Sequence, residues 1–118
     1  MEKDTSLIVN ERINLIKLKE IVYCYDNIVK GVCDIVTGEI AMGGEWHSDA
    51  EQMLSNKGNN SNNIWGFNIA FEAVETEPRI VYTSMINIKP VLGYKNILLT
   101  DIIIINKINE IIENKLIL

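Results

Sequence analysis

Residues 64–71 restrict the fold of this chain more than any other segment, because large apolar side chains alternate there with smaller or polar ones. Successive side chains of a β-strand point to opposite faces of its sheet, so this alternation predicts a strand with two unlike faces. The apolar face is formed by Trp65, Phe67, Ile69 and Phe71. We expect this face to pack on helices, while the opposite face carries Gly66 and Asn68.

Four other segments complete the predicted sheet through their apolar and β-branched residues. They are an edge strand at 6–13, a strand at 28–36, its hairpin return at 39–42 and a strand at 79–89. Thr37-Gly38 supplies the first hairpin turn. A short acidic loop separates the last strand from segment 64–71, which predicts that these two strands pair in an antiparallel hairpin.

Three amphipathic segments predict helices, since their apolar residues recur every three or four positions. They follow the candidate N-cap Asn14 as far as 26–27, span 49–56, and follow Thr100 or Asp101 near the end of the chain. The apolar stripe of the last helix consists of Ile104, Ile108, Ile111 and Ile112. The mixture predicts one α+β domain over residues 1–118, with an antiparallel sheet of four to five strands and about three helices packed on one face.

The charge balance excludes some classes of partner. Eleven Lys and Arg face 16 Asp and Glu, which gives a net charge of −5. A general nucleic-acid binder or a protein of anionic membrane surfaces needs a basic face instead.

The charged first residues, 1–4, lack the pattern of a signal peptide, and no apolar run approaches the roughly 20 residues of a membrane span. We therefore expect a cytoplasmic protein, in which Cys24 and Cys33 act as small buried hydrophobes.

The densest polar segment is 43–51, with the sequence Gly-Gly-Glu-Trp-His-Ser-Asp-Ala-Glu and the only histidine of the chain. Imidazole and carboxylate groups are ligands for Zn²⁺ and other divalent metals, and a bound metal can activate water for hydrolysis. The metal hypothesis assigns His47, Glu45 and Glu51 as ligands. The acid–base hypothesis assigns Glu45, His47 and Asp49 as catalytic groups.

A structural interpretation of the same segment competes with both hypotheses. Ser48 and Glu51 fit the Ser-x-x-Glu capping box, in which each side chain bonds a backbone N–H of the other residue. Asp49 would then lie in the first helical turn, where its charge complements the helix dipole. A Glu51 side chain that caps the helix cannot also bind a metal beside His47. The sequence leaves the choice open.

Polar residues within the two strands of the predicted hairpin form a second candidate group. They are Asn68, Ser84, Asn87 and Lys89. Asparagine is disfavoured inside strands, and a mid-strand glycine such as Gly66 often marks a bulge or a close approach of the backbone. These side chains would line a polar ligand pocket. Alternatively, one sheet face is solvated and its asparagines reflect the composition of a chain that contains 14 of them.

Three segments in this order, 43–51, Trp-Gly-Phe-Asn at 65–68 and Ser-Met-Ile-Asn-Ile-Lys-Pro at 84–90, resemble a family of small bacterial and archaeal proteins known as a domain of unknown function. The resemblance covers about residues 6–117. It implies that both polar groups are signature positions of the family, and it implies no activity, cofactor or partner. Trp46 stands where the family pattern is more often aliphatic.

Two functions from different classes follow. The first is a site for a polar small molecule or a divalent metal, extending to hydrolysis, built from segment 43–51 and the strands at 65–68 and 84–89. The second is a non-catalytic binding or oligomerisation module, for a protein partner or a homodimer. Its basis is the Ile-rich C-terminal helix, which is apolar up to Leu118 and would expose an apolar patch if the sheet did not cover it.

Overall fold

The structure is a computed structural model that describes residues 5–118, so the charged segment 1–4 lies outside the described residues. In chain order, the helices and strands of this range are β1 (Ser6–Ile8), β2 (Ile13–Asn14), α1 (Leu15–Ile21), β3 (Ile28–Asp34), β4 (Ile40–Gly43), α2 (His47–Ser55), β5 (Ile64–Ala70), β6 (Ile80–Val81), α3 (Ile102–Lys115) and β7 (Leu116–Ile117). Five strands form one antiparallel sheet in the order β1-β4-β3-β5-β6. The short strands β2 and β7 pair in parallel beside it. The predicted α+β class is confirmed.

Strand β5 has the two faces that its alternation predicts. It pairs with β3 along its full length, from Ile64 opposite Asp34 to Ala70 opposite Ile28. The side chains of its apolar face are buried in a cluster that also contains residues of α1 and α3. This cluster includes Trp65, Phe67, Ile69, Leu15, Leu18 and Ile108. The aromatic face therefore packs on helices, as predicted.

Helix α2 lies on the opposite face of the sheet, so the expectation of helices on one face was wrong. Its residues Ala50 and Leu54 are fully buried against Val32, Ala41 and Ile64. The side chains of these strand residues point to the sheet face opposite the aromatic face of β5. The residue from β4 is small, which allows a helix to approach the sheet closely. The sheet is thus covered on both sides, and α2 carries the polar segment 43–51 to the second face.

The helix termini follow the predicted caps at two of three places. Asn14 accepts a hydrogen bond from the backbone N–H of Lys17 at 2.7 Å, and Asp101 accepts one from Ile103 at 3.0 Å. Helix α1 is shorter than predicted and ends at Ile21, because the chain becomes extended at the next residue. Asp26, with φ +56°, then forms the turn that leads into β3. The predicted continuation of α1 to 26–27 was therefore wrong.

The predicted strand at 79–89 was wrong over most of its length. Pairing with β5 ends at Val81, and a 3-10 turn spans Met85–Asn87. The turn begins where the Ser84 hydroxyl accepts a hydrogen bond from the backbone N–H of Ile86 at 3.2 Å. Such a local side-chain bond offers the backbone an alternative to a sheet ladder. Asn87 consequently lies in this turn and not in a strand.

The apolar stripe of α3 is buried against its own sheet, as are Leu99 before the helix and Leu116 after it. Leu116 is held in place because β7 pairs with β2. Apolar exposure on α3 is greatest at its first turn, where Ile102 and Ile103 are 63% and 66% exposed. No helix within residues 5–118 combines the length and apolar character that crossing a membrane requires.

Candidate functional site

Helix α2 begins at His47, two residues earlier than predicted, because Asp49 caps it. The Asp49 carboxylate accepts a hydrogen bond from the backbone N–H of Trp46 at 3.0 Å. The predicted capping box of Ser48 and Glu51 was wrong, since the reaching carboxylate belongs to Asp49. Asp49 therefore has a structural task at the helix N-terminus, and Glu51 is available for other contacts one turn after His47.

The His47 ring is fixed by the backbone of β5. Its Nε2 atom lies 3.0 Å from the carbonyl oxygen of Phe67. A carbonyl can only accept, so Nε2 carries the proton and donates it, which leaves the lone pair of the neutral ring on Nδ1. Burial and the charge of Lys30 lower the pKa of His47 below 6.5, although the bonds to Phe67 and Asn68 act in the opposite direction. We therefore expect a neutral imidazole at pH 7.

A cavity of about 250 Å³ opens beside this ring, and we name it the His47 cavity. It is lined by Trp46, His47, Ser48, Ser84, Met85 and Ile86. The polar groups come from the first turn of α2 and from Ser84, which is only 4% exposed. The apolar groups come from Trp46 and the 3-10 turn. The cavity thus offers hydrogen-bonding groups at one part of its wall and apolar surface at another.

The Lys30 side chain brings a positive charge next to this cavity. Lys30 donates from Nζ to the backbone carbonyl of Glu45 at 2.7 Å, and the same Nζ lies 5.6 Å from the centre of the Trp46 ring. The first turn of α2 adds the positive end of a helix dipole, which the Asp49 carboxylate offsets in part. Both features favour a ligand that carries an anionic or electron-rich group.

Gly66 allows Ser84 to lie directly on β5. A Cβ atom at position 66 would stand 2.6 Å from Cβ and 2.7 Å from Oγ of Ser84, closer than real Cβ atoms come. The prediction that this glycine marks a close approach is therefore confirmed. The approach places Ser84 in the wall of the His47 cavity.

The two predicted asparagines have different neighbours. Asn68 donates to the carbonyl of Thr83 at 2.9 Å, and it lies close enough to His47 to raise the pKa of that ring. Asn87 is buried, with its amide bonded to both backbone groups of Gly66 at 2.8 and 3.1 Å. Asn68 therefore belongs to the surroundings of the histidine, while Asn87 holds the 3-10 turn against the sheet.

A second cavity of about 330 Å³ lies on the other side of Ile86, and we name it the Lys89 cavity. It is lined by Glu51, Ser61, Asn62, Ile86, Ile88, Lys89, Pro90 and Val91. The Lys89 Nζ donates to the carbonyls of Ser61 at 3.0 Å and Ile86 at 2.8 Å, and it lies 4.8 Å from the centre of the Trp65 ring. Burial lowers the pKa of Lys89, and Glu51 opposes this shift.

The proposed metal ligands are not brought together. The Glu45 side chain is exposed, His47 faces the first cavity, and Glu51 lines the second. Within residues 5–118, no three His, Cys, Asp or Glu side chains form a group that could hold a metal ion. Of the predicted site residues, the structure brings His47, Asn68 and Ser84 together.

Sequence reasoning missed Lys30 and the apolar lining residues of the His47 cavity. Lys30 lies opposite Asn68 in the register of β3 and β5, which a sequence shows only once the pairing is known. Met85 and Ile86 belonged to a predicted strand. Trp46 was noted only as an unusual residue of its segment, although its large exposed ring is the kind of side chain that lines a binding surface.

These features define a small α+β protein with a mixed polar and apolar cavity beside its single histidine. A family model described as "Protein of unknown function (DUF5674)" matches residues 7–115. The chain belongs to this family. No curated protein and no solved structure matches this chain.

Proposed function

We propose that this protein binds a small molecule in the His47 cavity, and that the ligand joins a compact anionic group to an apolar body. The observation that carries the proposal is the fixed imidazole in the wall of this cavity, whose Nε2 donates to the backbone carbonyl of Phe67. The bond fixes the ring orientation and leaves Nδ1 as an acceptor, so the anionic group of the ligand would bond to the first turn of α2 and not to the ring. A preorganised polar group in a concave, largely apolar site is typical of ligand pockets.

The chemistry of the lining selects the ligand class. Backbone N–H groups in the first turn of α2 and the nearby Lys30 charge favour a carboxylate or a phosphate. The side chains of Trp46, Met85 and Ile86 favour an aromatic or branched aliphatic body. The dispersed carboxylates support an organic ligand in preference to a divalent metal. Hydrolysis is a further step of the same proposal, with Nδ1 of His47 as the general base.

The single histidine provides a direct test. Nitrogen-15 NMR of the His47 ring would be followed during titration with benzoate, acetate and inorganic phosphate. We expect benzoate to shift the ring signals at a lower concentration than acetate, because only benzoate fills the apolar part of the cavity. Calorimetry measures benzoate binding by the variants, because His47→Gln has no histidine signal. His47→Gln should weaken this binding, whereas Gln52→Ala, an exposed position of α2, should not.

The proposal is overturned if none of the three compounds shifts the ring signals or if His47→Gln binds benzoate as wild type does. A zinc titration monitored through the same signals would test the metal hypothesis separately. Hydrolysis requires that p-nitrophenyl acetate be cleaved faster by wild type than by the histidine variant.

A second candidate function is self-association through the first turn of α3. Ile102, Ile103 and, four residues earlier, Leu98 are exposed apolar side chains in adjoining parts of the chain. A second copy of the chain would cover them in a homodimer. Sedimentation velocity at micromolar concentration tests this: a dimer that Ile103→Lys dissociates supports it, and a monomeric wild type rejects it.

A further inference from the structure

We propose that the Lys89 cavity is a second, separate ligand site, and that it binds a free α-amino acid with an aliphatic side chain. An α-amino acid is a zwitterion, with a carboxylate and an ammonium group on one carbon. The cavity is lined by one positively charged side chain, Lys89, by one negatively charged side chain, Glu51, and by apolar residues. The inference goes beyond the binding proposed for the His47 cavity and does not depend on it.

Lys89 provides the group for the ligand carboxylate. Lys89 is only 9% exposed. Its Nζ donates to two neutral carbonyls, those of Ser61 and Ile86, and lies over the ring of Trp65. Within residues 5–118, no carboxylate forms an ion pair with it. A buried cation that is held by neutral groups gains from an anionic partner, because charge-assisted hydrogen bonds are the stronger ones.

Glu51 provides the group for the ligand ammonium. It belongs to α2, lines the same cavity as Lys89 and is half-buried. Its carboxylate receives no hydrogen bond from a donor in the described part of the chain, and burial raises its pKa while Lys89 lowers it. Lys89 and Glu51 form no ion pair with each other, although each charge shifts the pKa of the other group. A small molecule in the cavity that both residues line can therefore bond to both.

The size and remaining lining of the cavity define the side chain of the ligand. About 330 Å³ is at the lower end of the volumes that small-molecule sites show. Ile86, Ile88 and Val91 supply aliphatic surface, while Ser61 and Asn62 lie at the polar part. An amino acid such as leucine or valine therefore fits better than a charged one.

Ligands with a single charge fit this cavity less well. A simple carboxylate would bond to Lys89 but would place its negative charge near Glu51. A simple amine would bond to Glu51 but would place its positive charge near Lys89. Specificity of this kind arises from repulsion of the wrong ligand as much as from attraction of the right one.

Calorimetric titration with three compounds tests the proposal. L-leucine carries both charges, 4-methylpentanoate lacks the ammonium group and 3-methylbutylamine lacks the carboxylate. We expect leucine to bind and each analogue to bind about tenfold more weakly or worse, the usual effect of losing one charge-assisted hydrogen bond. Leucine that binds no tighter than 4-methylpentanoate, or that gives no heat at millimolar concentration, overturns the proposal.

Variants separate this site from the His47 cavity. Glu51 is half-buried on α2. The Glu51→Gln variant should bind leucine and 4-methylpentanoate with similar affinity, since it lacks the charge that distinguishes the two compounds. Lys89→Met should lose leucine binding. Its fold is verified by circular dichroism, and Glu51→Gln supplies the test if that variant does not fold. His47→Gln should bind leucine as wild type does, and loss of leucine binding in this variant overturns the assignment of the ligand to the Lys89 cavity.

Discussion

The side-chain amide of Asn87 bonds both backbone groups of Gly66. Its Oδ1 accepts from the Gly66 N–H at 2.8 Å, and its Nδ2 donates to the Gly66 carbonyl at 3.1 Å. A single side chain thus takes the place of a partner strand at the edge of β5, just where β6 has ended. Because Asn87 satisfies these backbone groups, the chain can turn at residues 84–87 and form the wall between the His47 and Lys89 cavities.

The first prediction concerns this amide. Asn87→Ala should lower the free energy of unfolding by about 2–3 kcal/mol, because it leaves two buried backbone groups of Gly66 without partners. Urea unfolding measures the change. Asn106→Ala, at an exposed position of α3, is the control and should change stability by about 0.5 kcal/mol or less. Equal losses in the two variants would contradict the role assigned to Asn87.

The second prediction concerns the contact of Gly66 with Ser84. Gly66→Ala should destabilise the fold by about 1–3 kcal/mol through overpacking, since its Cβ would meet Ser84 at 2.6 Å. Ser84→Gly removes the opposing atoms, so the double variant should lose less stability than the sum of the two single variants. The coupling is measured in a double-mutant cycle.

Gly58→Ala provides the contrast for that cycle. Gly58 has φ +101°, and a methyl group added there would meet no atom within 4 Å, so alanine costs backbone strain alone. Ser84→Gly should not reduce this cost. Equal coupling at positions 58 and 66 would show that steric contact is not the cause.

The third prediction concerns the two cysteines. Cys33 is fully buried, and burial together with the neighbouring Asp34 raises its thiol pKa far above the usual range. Cys24 is partly exposed, so the expectation of two buried cysteines was wrong for this residue. Iodoacetamide should therefore label Cys24 in the folded protein and both cysteines in urea, as read by peptide mass spectrometry. Labelling of Cys33 at the rate of Cys24 without denaturant would contradict the structure.

Elements whose cause is local were predictable from the sequence. The alternation in β5 follows from period two, and the starts of α1 and α3 follow from the side chains of Asn14 and Asp101. The strand predicted at 79–89 failed for a reason that is only partly local. Its apolar residues fit a strand, and Ser84 bonds the nearby Ile86 N–H, but the bonds of Asn87 and the packing of Ser84 both require Gly66, which is distant in sequence.

The candidate site shows the same division. Residue type alone identified His47, Asn68 and Ser84 as chemically useful, and the structure places them near one another. Residue type alone could not reveal that Asp49, and not Glu51, caps α2, because either carboxylate fits the first turn of a helix. Because Asp49 caps the helix, Glu51 is available to line the Lys89 cavity.

The last prediction concerns the pH dependence of stability. The pKa of His47 is lowered by folding from about 6.5, mainly by burial, so the folded protein binds this proton less readily than the unfolded chain does. Above pH 6.5 the ring is neutral in both states and folding carries no penalty. As the pH falls below 6.5, the unfolded chain takes up the proton first, and the free energy of unfolding should decrease until the folded ring is also protonated.

The measurement compares wild type with His47→Gln by urea unfolding between pH 8 and pH 5. Because the chain has one histidine, the variant should lose the decrease that begins near pH 6.5 and keep the steeper one that carboxylates cause at lower pH. Nitrogen-15 shifts of the wild-type ring should show the Nε2–H tautomer at pH 8. A ring that stays charged at pH 7, or parallel pH profiles for the two proteins, would contradict a neutral His47 held by the Phe67 carbonyl.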